Sequence, residues 1–188
     1  EEAEKIQGEL VADRRLQITR LTKAEANKPA IIEALTNGAY DLVHYSGHAF
    51  FDELQPDVSG LICYDEEILT GADLTQIPQM PFLLFLNACQ SGRVRGKKID
   101  SESRPKKAGR GVSVAESLLR SGIPNFVGTY WPVGDVSAVQ FAVPFYRSLL
   151  LNKKSLGTAV LDGRKAIKHS ADHLDYILYG NSNALLFE

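Results

Sequence analysis

The sequence predicts an α/β fold, a mostly parallel central sheet flanked by helices in three layers, and three observations carry that expectation. Short apolar segments bounded by Gly, Pro, Asn or Asp recur at residues 41–46, 59–64, 81–87 and 124–130, and these read as strands. Helical periodicity recurs at 112–121, 136–151 and 155–168. Strands that alternate with helices bury both faces of a sheet, which is the α/β arrangement.

The elements follow in chain order. Ala3, Ile6, Leu10 and Val11 trace one face of an opening helix. No Met precedes it, so the expectation is a C-terminal part or fragment of a longer protein. Pro29 sits near the first turn of a second helix, Ile31, Ile32 and Leu35 form its apolar face, and Asn37-Gly38 stops it. Gly122 ends the helix at 112–121, while Asp135 and Ser155 are placed to cap the next two. Residues 93–110 stand apart, with eight Lys or Arg against Asp100 and Glu102 and few apolar residues. They are expected to form an exposed, mobile loop, either a solvated insertion or a regulatory segment.

The 188 residues, 44% hydrophobic and 23% charged, suit one domain over 1–188. A net charge of −2 gives no global electrostatic reason to bind nucleic acid or an acidic membrane. The basic loop lacks an aromatic residue to stack bases, so no specific nucleic-acid partner is expected. Two cysteines, Cys63 and Cys89, fit a reducing cytoplasm. Apolar runs such as 82–86 are too short to cross a bilayer.

Two strand ends carry chemistry. Leu42-Val43-His44-Tyr45-Ser46-Gly47-His48 and Phe82-Leu83-Leu84-Phe85-Leu86-Asn87-Ala88-Cys89-Gln90-Ser91-Gly92 each deliver a reactive side chain as the chain leaves the sheet. The carboxyl ends of parallel strands border the ligand crevice, so His48 and Cys89 meet there if their strands are neighbours. An imidazole beside a thiol favours the thiolate nucleophile and can protonate a leaving amine. Alone, each residue type is more often packed structure.

Together the motifs say more. Tyr45-Ser46-Gly47-His48, followed by Asn87-Ala88-Cys89-Gln90-Ser91-Gly92, resembles the histidine and cysteine motifs of the CHAT domain family, relatives of caspases, separases and gingipains. The stretches 60–62, 69–74, 117–124, 127–135, 145–146, 159–166 and 179–181 resemble the rest of that family's domain, so the likeness covers nearly the whole chain. It implies a caspase-hemoglobinase fold and a His48–Cys89 dyad that needs neither a third acid nor a metal. It also implies an oxyanion hole from the backbone N–H groups of Cys89 and Ala49, a protein or peptide substrate, and control by a repeat or sensor domain as in bacterial relatives. Family members usually have glycine where Ala49 stands, which leaves open an inactive scaffold or interaction module.

The remaining candidates keep two readings each. Asp135 either caps the helix that begins at Val136 or lines the pocket for the residue before the cut, favouring Arg or Lys there. If Asp135 only caps, Trp131 or Tyr130 walls an apolar pocket that takes Leu or Met. An Arg- or Lys-directed site would also find cleavable bonds in 93–110, so self-processing is expected under that reading. His44 reads as a packed core histidine rather than a catalytic one, and His169 and His173 read as surface residues. The spacings of His44, His48, Cys63 and Cys89 match no compact zinc pattern, so neither a metal nor a cofactor is expected.

Overall fold

Asn27, Thr70 and Ser155 set where helices begin, and the helices they start pack against a six-stranded sheet. In the computed structural model, residues 2–50, 52, 58–89 and 118–187 are described. The basic stretch 93–110 and most of the expected helix at 112–121 lie outside them.

Helix α1 (Glu2–Leu10) buries Ile6 and Leu10. Helix α2 (Lys28–Asn37) starts where the Asn27 side chain accepts from Ala30 N at 3.0 Å, with Pro29 in its first turn. Strand β1 (Leu42–Phe50) leads to the short strands β2 (Gly60–Ile62) and β3 (Ile68–Thr70). Thr70 and Asp73 cap each other's backbone N–H at the start of α3 (Gly71–Leu74). Strand β4 (Leu83–Cys89) follows; residues 118–120 are helical, and Gly122 ends that turn at φ +100°.

After β5 (Phe126–Thr129) come α4 (Asp135–Tyr146), a π-helical turn at Arg147–Leu151, and α5 (Leu156–Ala166). The helix expected over 136–151 thus runs unbroken, with its last turn π-helical. Pro144 removes one backbone donor, and the ladder beyond Tyr146 shifts to the wider spacing. Ser155 caps α5 as expected, accepting from Thr158 N. Strand β6 (Tyr176–Tyr179) closes the sheet.

The strand order is β3-β2-β1-β4-β5-β6. The sheet is mixed: β1, β4 and β5 are parallel at its centre, whereas β2, β3 and β6 join by antiparallel pairing. Leu83, Leu84, Phe85 and Leu86 are each no more than 3% exposed, so β4 is buried on both faces. Leu83 and Phe85 pack with residues of α1, α4 and α5. Leu84 and Leu86 belong to a second cluster, against which Ile31, Ile32 and Leu35 of α2 pack. Among the described residues no helix is long and apolar enough to cross a membrane.

Candidate active site

Parallel pairing of β1 with β4 sets the site. The register aligns Ser46 with Asn87 and ends with His48 opposite Cys89, one strand spacing of about 4.8 Å away. His48 does not stand where its strand leaves the sheet, as expected from the sequence. β1 runs on through it to Phe50, and Ala49 and Phe50 pair with Leu61 and Gly60 of β2. His48 is therefore held between two neighbouring strands while its side chain stays exposed.

Ala49 is buried in this strand. Its φ is not positive, so an alanine sits here without the strain that a left-handed residue would impose. The preceding carbonyl, His48 O, accepts from Tyr45 Oη at 2.7 Å, and the same hydroxyl reaches Ile62 O at 2.8 Å. Since the peptide is trans, the Ala49 N–H points away from the oxygen that Tyr45 holds. A Cβ on Gly47 would meet that hydroxyl at 2.5 Å, so glycine lets the Tyr45 ring fold back along its own strand. Burial pushes the Tyr45 hydroxyl up to about 12, which keeps it a donor.

A cavity of about 140 Å³ opens beside His48. Ser46 and Asn87 line it from the strands, Glu2 from α1 and Asp135 from α4. Asp135 is exposed, and the expectation that it caps its helix is corrected. Gly134 is the N-cap, and Asp135 is the first helical residue and makes no side-chain cap bond. Its carboxylate stands in the first turn, where the helix dipole favours a negative charge. Tyr130 and Trp131 pack edge to face, with centroids 5.5 Å apart, and are not among the residues lining this cavity.

Glu2 was legible in the sequence only as part of a helix. Its side chain is 10% exposed. Ser46 Oγ donates to Oε2 at 2.6 Å and Asn87 Nδ2 donates to Oε1. His44 Nε2 lies 3.3 Å from Oε1, an ion-pair distance without hydrogen-bond alignment. Burial alone would raise the Glu2 pKa, but His44, Ser46 and Asn87 together hold it below the ordinary value.

His44 behaves as the packed histidine expected. Its ring stacks on Phe85 at 4.9 Å, and Nδ1 is 2.9 Å from Tyr146 Oη. His169 is exposed, and His173 is half-buried with Nδ1 2.6 Å from Ser170 O. Cys63 is buried 5% exposed, and desolvation, with Asp65 nearby, pushes its thiol up to about 11. Among the described residues no three His, Cys, Asp or Glu side chains group as metal ligands would.

The family model described as the CHAT domain matches residues 1–176. No curated protein matches the chain.

Proposed function

The chain belongs to the CHAT domain family, and from that premise we propose that it is a cysteine endopeptidase whose dyad is His48 and Cys89. The family is associated with caspase-like cysteine peptidases. The observation that carries the reading is the register pair His48–Cys89 at the end of the central parallel ladder, beside a cavity. Helices against both faces of the sheet agree with the layering of the caspase-hemoglobinase fold.

In this mechanism the Cys89 thiolate attacks the scissile carbonyl carbon, and the C–N bond breaks as His48 protonates the leaving amine. Water then attacks the thioester, His48 takes its proton, and the acid product leaves with the thiol restored. The N–H groups of Ala49 and Cys89 donate to the oxyanion of each tetrahedral intermediate. Tyr45, by holding His48 O, fixes the peptide plane that carries the Ala49 donor. Asp135, exposed at the cavity and free of capping duty, pairs with Arg or Lys before the cut. The partner is a peptide or protein substrate in the cytoplasm, with a repeat or sensor domain as the controlling element.

Cleavage of a peptide library varied before the cut, by the wild type, His48→Ala and Cys89→Ala, tests the reading. Cutting should vanish in both variants, and Cys89 should react with iodoacetamide much faster than Cys63. No cutting, with both thiols equally slow, would make the chain a non-enzymatic interaction module.

A further inference from the structure

A buried carboxylate is costly unless donors saturate it, and Glu2 is saturated by residues of the two strands that carry the dyad. Ser46 and Asn87 are register partners, two residues before His48 and Cys89 on their respective strands. The carboxylate therefore ties β1 to β4 about 7 Å from the dyad pair, two strand residues away. Its donors are themselves fixed. Tyr176 Oη donates to Asn87 Oδ1 at 2.9 Å, and Tyr146 Oη stands 2.9 Å from His44 Nδ1.

Anchoring α1 does not call for such a group. Ile6 and Leu10 already bury that helix in the core, and Glu9 pairs with Arg147 at 2.6 Å. A buried charge adds little to anchoring that an apolar residue could not supply. Nor does Glu2 suit substrate binding, since Asn87 and His44 stand at Oε1 and Ser46 at Oε2. Asp135, in the same cavity but exposed, is the carboxylate left for a ligand.

We propose that Glu2 is a positioning residue for the dyad, bracing β1 against β4 and setting a fixed negative charge beside His48. The proposal rests on the peptidase reading above. With β1 and β4 tied at Ser46 and Asn87, the strand ends that carry His48 and Cys89 keep their register. The other titratable groups facing this charge are His44 on β1 and Tyr146 and Asp135 on α4.

Glu2→Gln keeps the size and removes the charge. Two readouts decide: the split between kcat and KM on the best library peptide, and the thermal midpoint. We expect kcat to fall about tenfold to a hundredfold with KM nearly unchanged, as misplaced groups cost rate rather than binding. Ser46→Ala, which loses one donor and keeps the charge, should lower kcat less.

Unchanged kcat in Glu2→Gln would overturn the proposal. So would a loss that merely follows the folded fraction. If Glu2→Gln does not fold, Ser46→Ala decides, and wild-type kcat in that variant overturns the brace. A wild-type Cys89 no more reactive than Cys63 would instead sink the dyad, and the role of Glu2 with it. A reactive Cys89 with kcat indifferent to Glu2→Gln would sink Glu2 alone.

Discussion

Glu2 and Asp135 show how environment divides two carboxylates that line one cavity. Glu2 is nearly buried and surrounded by donors, whereas Asp135 is exposed and caps nothing. A substrate cation can therefore pair with Asp135 at low desolvation cost. Asp135→Asn should lower kcat/KM for peptides with Arg or Lys before the cut by about tenfold to a hundredfold, the range for losing one charge-assisted contact. Cys89 alkylation should not change, and a Leu peptide should be cut as before. Equal losses on Lys and Leu peptides would show that Asp135 does not read the substrate. The sequence leaves Asp135 between cap and pocket because a helix boundary cannot be read to one residue. His48 and Cys89 are candidates through their motif wording, whereas Glu2 is announced by no motif. Its partners lie 44 and 85 positions away, and no local pattern announces them.

Among elements, the central strands are legible and the edge strands are not. The run Leu83 to Leu86 is apolar throughout because both faces of β4 are covered, and that signature survives in one sequence. β3 and β6, the two edge strands of three and four residues, are missed. Helix α5 is legible from its spacing and Ser155 cap, yet its contact with α4 turns on Gly163. A Cβ there would meet the Phe141 ring at 2.9 Å, and that ring is fully buried and stacked on Tyr176 at 3.5 Å. Helix propensity favours Gly163→Ala by about 1 kcal/mol, whereas overpacking a closed core costs roughly 1–3 kcal/mol. The packing term should win, because neither ring has room to yield. A lower denaturant midpoint for Gly163→Ala is expected, and a higher one would mean that the helices slide apart at little cost.

Across the whole molecule, the charge balance makes acid the condition that tests the fold. Glu2 and Asp73 both carry pKa values below their ordinary 4.5 and 3.8. Burial opposes the shift at each, but His44, Ser46 and Asn87 outweigh it at Glu2, and Thr70 and Lys28 do so at Asp73. A group whose folded pKa lies below its unfolded one stabilises the fold above the unfolded value, and that contribution is lost as pH falls through the folded value. Asp175 acts in the opposite sense, since burial and Asp172 raise its pKa, so acid relieves it. Glu2 is the most buried of the three and bonds to two strands, so its contribution should dominate the acid limb. Unfolding free energy should hold steady from neutral pH down to about 4.5 and then fall. Glu2→Gln should start lower at neutral pH but fall less steeply, so the two curves converge in acid. Urea titrations at several pH values would measure this. Parallel curves would mean that Glu2 keeps the same proton affinity folded and unfolded, so that the donors around it merely replace the water it gave up.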